Sequence, residues 1–180
     1  MKNCTKRFWH CTRGIAINEF ALILPLMLIL WAGLVEFGNL HSVSRKVALS
    51  AQSTADLIAQ QRTVTISELN DIVAAGHAIL FPYPVDTMGF TFQSIPSNAD
   101  ASIDTTNEWI FNQGTAEVGV GEIPPEAETL LRGNDSTIYV RASYTHSLTL
   151  ASLIPGIEDT VQLTESAFAK PRKVLKIFLE

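Results

Sequence analysis

Among the residues of this chain that could do chemistry, one carboxylate is out of place. Glu19 lies in the stretch "RGIAINEFALILPLMLILW", Arg13 to Trp31, a run otherwise apolar enough to enter a bilayer. A carboxylate in such surroundings is costly unless it reaches the interface or is paired with a cation. The remaining candidates do not assemble into a site. His41, His77 and His146 are isolated, with no cysteine nearby and no paired spacing that suits a metal. Asp100, Asp104 and Glu108 are spaced by four, an arrangement with the right atoms for calcium, but the glycine and closing glutamate of an EF-hand loop are missing. Cys4 and Cys11 fit no metal spacing, and His10 beside Cys11 adds none. "GVGEIPPE" lacks the lysine of a phosphate loop, "RGND" reads as a turn, and the sequons "NCT" and "NDS" carry no weight. The chain reads as a non-enzyme with no cofactor and no metal ion.

The charge distribution points to a membrane and away from nucleic acid. The net charge of −5 conceals an asymmetry, because Lys2, Lys6, Arg7 and Arg13 precede the apolar run with no acid among them. The rest of the chain holds 9 bases against 18 acids. Such an acidic body lacks the clustered Lys and Arg that a nucleic-acid partner requires. A basic head before an apolar stretch stays in the cytoplasm, which places the following residues across the membrane. Both cysteines fall in that head, so a disulfide between them is not expected, and the body cannot be stapled by one. A lipoprotein reading fails as well, since its cysteine should follow the apolar run.

From Ile15 to Val35 the run spans 21 residues, of which Asn18 and Glu19 are the strongly polar ones. As a helix it covers about 31 Å, close to the hydrocarbon thickness of a bilayer. Pro25 lies inside it, which a membrane helix tolerates with a kink. Three readings compete. A cleaved secretory signal would be cut within "ALSA", after Ser50, but the apolar core is too long and Glu36, His41, Arg45 and Lys46 intervene. An uncleaved signal anchor explains the length and the basic head; Glu19 would then have to snorkel to the interface. The third reading gives Glu19 a role. A glycine preceded by bases, then four residues, then Glu-Phe and an apolar helix resembles the prepilin peptidase site of type IV pilins and pseudopilins. That resemblance implies cleavage between Gly14 and Ile15 on the cytoplasmic face. Glu19 would then be the fifth residue of the mature chain, facing the new α-amino group of a neighbouring subunit.

The residues after Gly14 narrow the resemblance. "NEFALILPLMLILWAGLVEFG" is similar to the start of TadE-like proteins, the minor pilins or pseudopilins of tight-adherence (Tad/Flp) pilus systems. The matching features are Glu19-Phe20-Ala21, Pro25, and Glu36-Phe37-Gly38 at the far end. "LTESAFAKPRKV" near the C-terminus resembles the family's closing strand, with Pro171-Arg172. Membership implies a component of pilus biogenesis and adherence in the bacterial inner membrane, with its C-terminal domain in the periplasm or on the cell surface. It also implies as partners a prepilin peptidase, other pilin-like subunits and the Tad assembly machinery. The competing reading is an uncleaved single-pass protein whose outer domain binds an unknown ligand or partner.

These residues must be positioned by four segments: a leader at 1–14, a membrane helix at 15–38, its extramembrane continuation at 39–62, and a head at 63–180. In the continuation, Leu40, Val43, Val47, Ala51, Ala55 and Ile58 recur at helical spacing, so one helix is expected from Ile15 to Gln61. That stripe, flanked by small residues, could receive either another subunit or the chain's own head. "TISE", Thr65 to Glu68, is a capping box opening a second helix with Leu69, Ile72, Val73, Gly76 and Leu80 on one face, and "FPYP" ends it. Period-two runs follow at Met88–Phe92, Ile138–Tyr144 and Val161–Ala169, with a fourth around Trp109–Phe111. "SIPSNADASID", "GVGEIPPEAE" and "RGND" are expected as loops. The fold class is α+β: a long transmembrane and amphipathic helix, a second helix, and an antiparallel sheet.

Overall fold

A computed structural model describes residues 13–114, 124–151, 156 and 158–180. The basic segment at 1–12, with Cys4, His10 and Cys11, and part of the "GVGEIPPEAE" stretch lie outside the described residues. The chain runs α1 (Arg13–Ala59), β1 (Thr63–Val64), α2 (Ile66–Leu80), β2 (Met88–Pro96), β3 (Trp109–Gln113), α3 (Pro125–Leu130), β4 (Ser136–Ser147), β5 (Thr160–Ala169) and β6 (Phe178–Leu179). β2 to β5 form an antiparallel four-stranded sheet in the order β3-β2-β4-β5, while β1 and β6 pair in parallel. The fold is α+β, as the sequence pattern predicts.

α1 is continuous over 47 residues, about 70 Å of helix. Its second half belongs to the head. Val43, Val47, Ala51, Ala55 and Ile58 are buried and share one core cluster with α2 and the sheet. The stripe is therefore filled by the chain's own head. The small residues permit a close approach of α2: Ser50 Oγ donates to the Gly76 carbonyl at 2.8 Å, and Thr54 Oγ1 folds back onto the Ser50 carbonyl at 2.8 Å. Both hydroxyls are buried and both have partners, which removes the cost of burying them.

α2 begins as its capping box dictates. The Thr65 side chain accepts from the Glu68 N–H, and the Glu68 carboxylate accepts from the Thr65 N–H at 2.8 Å. Leu69, Ile72, Val73, Gly76 and Leu80 are its buried face, the set that the 3.6-residue spacing selects. At its C-terminus, where carbonyls lack helical partners, Lys46 of α1 donates to Ile79 O at 3.2 Å and Phe81 O at 2.8 Å.

On the sheet face toward the helices, Met88, Phe90 and Phe92 pair across β4 with Tyr144, Ala142 and Val140. All nine residues of β2 are buried, because it is a central strand with cover on both faces. The size alternation in its sequence thus separates two buried faces, aromatic toward the helices and Gly89, Thr91 and Gln93 on the other. The distal part of that second face carries a smaller cluster of Ile95, Ala127, Leu131 and Tyr139.

Two expected loops are partly regular. Ser94 to Pro96 continue β2, pairing with Ile138, Thr137 and Ser136, since the opposing strand is long enough to hold them. Pro125–Leu130 is a short helix with proline at its first position, where the missing N–H costs nothing. "RGND" is a turn, with Asn134 at φ +63° and its neighbour Gly133 so close that a Cβ would meet Ala99 O at 2.5 Å.

After β5 the chain returns across the end of the head where α1 finishes. Arg172 N donates to Ala59 O at 2.9 Å, closing the end of α1, and its guanidinium meets Asp56 at 2.8 Å. The Ile177 carbonyl accepts from Trp109 Nε1 at 3.0 Å, and Glu180 N donates to Val64 O at 2.9 Å. Lys170 pairs with Asp135 and Lys176 with Asp104.

Two consequences can be measured. A Cβ on Gly76 would lie 2.7 Å from Phe90 Cζ and 2.9 Å from Thr54 Cγ2, both packed in the core. Gly76→Ala is therefore expected to destabilise the head by about 1–3 kcal/mol despite alanine's better helix propensity, read as a lowered denaturant midpoint. The Asp104 carboxyl is held down to about 2, first by the Asn107 side chain, with further help from Lys176 and Thr106. Because its folded value lies below the unfolded one, its stabilisation is complete above pH 4 and is lost as pH falls toward 2. Asp104→Asn should flatten the stability–pH curve in that window and leave its shape at neutral pH unchanged.

Candidate functional site

The feature that dominates the molecule is the N-terminal half of α1. Gly14 and Ile15 lie in its first turn, and the helix runs unbroken through Pro25. Proline removes one backbone donor there, a local loss that does not end the helix. From Ile17 to Phe37 the large apolar side chains project outward: Phe20, Leu22, Ile29, Trp31, Leu34 and Phe37 are all more than half exposed. This stretch is long and apolar enough to cross a membrane, and its most apolar window has no part buried against the head. A helix bare on every side does not suit water, but it suits hydrocarbon.

Two carboxylates mark this stretch, about 25 Å apart along the helix axis. Glu19 is exposed beside Phe20, and among the described residues nothing hydrogen-bonds or ion-pairs with it. Glu36 differs. It is half-buried, and its Oε1 accepts the backbone N–H of Thr149, in the turn after β4, at 2.9 Å. The sequence offers Glu36 as part of "EFG" but contains no signal for this long-range bond.

The other candidates are occupied structurally. His77 is half-buried and packs on Phe90 with ring centroids 5.6 Å apart, and burial pushes its imidazole below the usual value, so the ring serves in packing. His146 lies between Tyr83 and Tyr144, with both centroids at 6.2 Å. Asp100 accepts from Ser102, Asp104 from Asn107 and Lys176, and Glu108 from Gln93, so the three acids serve separate turns and contacts. Among the described residues no group of three potential ligands could hold a metal ion.

Comparison with known proteins agrees with this emphasis on α1. The family model "TadE-like protein" matches residues 14–56, the bare half of α1 and nearly all of its packed half. No curated protein matches the chain, and no solved structure matches it. The matched family is a structural, non-enzymatic kind associated with the Tad pilus machinery. A helix that leaves one half bare and builds a head on the other is consistent with a single-pass anchor. Over residues 14–56, this chain is similar to TadE-like proteins.

Proposed function

We propose that the chain is a minor pilin or pseudopilin of a Tad (Flp) pilus system, matured by a prepilin peptidase that cuts between Gly14 and Ile15. In this reading residues 1–14 are the leader, 15–38 cross the bacterial inner membrane with the N-terminus in the cytoplasm, 39–62 are the extramembrane continuation, helical as far as Ala59, and 63–180 complete the periplasmic head. Its partners are other pilin-like subunits and the assembly machinery. The observation that carries the proposal is Glu19: an exposed carboxylate about one turn into an apolar helix, without an intramolecular partner among the described residues. Its natural complement is a cation brought by another chain, and cleavage after Gly14 creates one, the α-amino group of Ile15.

Maturation is tested by sequencing the N-terminus of protein recovered from membranes or sheared fibres. The expected start is Ile15, and the mature chain then has no cysteine; a start at Met1 or near Ala51 rules the reading out.

Glu19→Gln separates pairing from snorkelling. If the carboxylate meets an amine, the substitution leaves a cation unpaired, at a cost of up to about 3–5 kcal/mol for a buried pair and less near an interface. The expected result is normal cutting after Gly14, normal insertion, and a loss of surface piliation or adherence, since the peptidase acts before the amine exists. Gly14→Leu should instead block the cut. A Glu19→Gln strain that matures and piliates fully leaves the carboxylate with no role beyond snorkelling.

A further inference from the structure

We infer that the segment just after β4, Leu148 to Ala151, rests on the outer surface of the lipid bilayer, held there by Glu36. The inference builds on the reading of α1 as membrane-spanning and assigns the head a second, peripheral contact with the same membrane. Three observations lead to it.

The first is the level of the bond. From Ile15, the first residue of the apolar run, to Glu36 the helix rises about 31 Å, close to the thickness of the hydrocarbon. Glu36 therefore stands where α1 leaves the apolar layer. The Thr149 N–H bound to it at 2.9 Å must stand at the same level.

The second is where α1 first loses exposure. Ala32, Glu36 and Leu40 are half-buried, while Gly33, Leu34, Val35, Phe37 and Gly38 between them are exposed. These three lie one turn apart on a single face, which leads into the buried Val43 and Val47. The first of these half-buried positions is Ala32, one turn before Glu36.

The third is the chemistry of the turn. Leu148 N donates to Asp159 O at 2.6 Å and closes the hairpin, and Leu148, Leu150 and Ala151 give it apolar side chains that the head buries incompletely. At a hydrocarbon boundary such residues gain by leaving water, whereas an unpartnered backbone N–H loses. The carboxylate of Glu36 satisfies the Thr149 N–H at the depth where water becomes scarce. Glu36 is thus a positioning residue, and what it positions is a lipid contact. The exposed acids on the return leg, Glu158 and Asp159, favour a neutral surface over a strongly anionic one.

The test uses the full chain with Cys4→Ser and Cys11→Ser, reconstituted into phosphatidylcholine vesicles with or without brominated acyl chains. A single environment-sensitive fluorophore is attached at Thr149→Cys, at Ile23→Cys in the apolar helix, or at Thr129→Cys at the distal end of the head. Bromine should quench the labels at 23 and 149 several-fold more than the label at 129. Adding Glu36→Ala should return the label at 149 to the value at 129 and leave the label at 23 unchanged. Quenching at 23 with none at 149 overturns this inference alone. No quenching at 23 overturns it together with the membrane-spanning reading. Strong quenching at 149 that survives Glu36→Ala overturns the role of Glu36. Unchanged circular dichroism of each variant shows that the head is folded.

Discussion

Val43, Val47, Ala51, Ala55 and Ile58 form one apolar stripe along α1, and both the second helix and the sheet are fastened to it. The stripe works because its flanks are small. Ser50 and Thr54 bring α2 close enough for a hydroxyl to reach the Gly76 carbonyl, and the absence of a side chain at Gly76 leaves room for the ring of Phe90. Larger groups at these positions would push α2 outward and detach Lys46 from the end of α2, leaving carbonyls there unsatisfied. A stripe filled in this way is unavailable to other subunits. Any contact between copies would therefore use the bare half of α1 or the outer surfaces of the head.

The residue types of the same helix change along its length. Up to Phe37 it is apolar on all sides; beyond that it is apolar on one face and polar on the others. With no break at the transition, a force or rotation applied to one half is passed to the other through backbone hydrogen bonds. The head is secured to this rod at both ends. At the distal end, the C-terminal segment bonds Ala59 and Asp56 and pairs with Thr63 and Val64. At the proximal end, the turn after β4 bonds Glu36.

Glu19 and Glu36 show how one residue type acquires different roles from its surroundings. Both are carboxylates on the apolar half of α1. Glu36 is placed where the head can supply a donor, so its charge is used within the chain. Glu19 lies about 25 Å away along the axis, beyond the head's reach, so its charge is left for whatever approaches the bare helix.

Much of this was legible in the sequence because local patterns carry it. The length of the apolar run, the helical spacing of the stripe, the capping box at Thr65 and the period-two runs each report the solvent on either side of a short segment, and each predicts its element. The family resemblance was legible for the same reason, since it resides in contiguous residues from Gly14 onward. Tertiary structure decided what depends on distant segments meeting. Ser94 to Pro96 look like a loop by composition but are strand because β4 extends past them. The two-residue strands β1 and β6 are too short to carry a pattern and exist because the C-terminus returns to Thr63. That the small-residue face of α1 packs on its own head, and that Glu36 holds a backbone N–H 113 residues away, follow from the closing of the fold, because the partners of a hydrogen bond or a packed face are not written at either end of it.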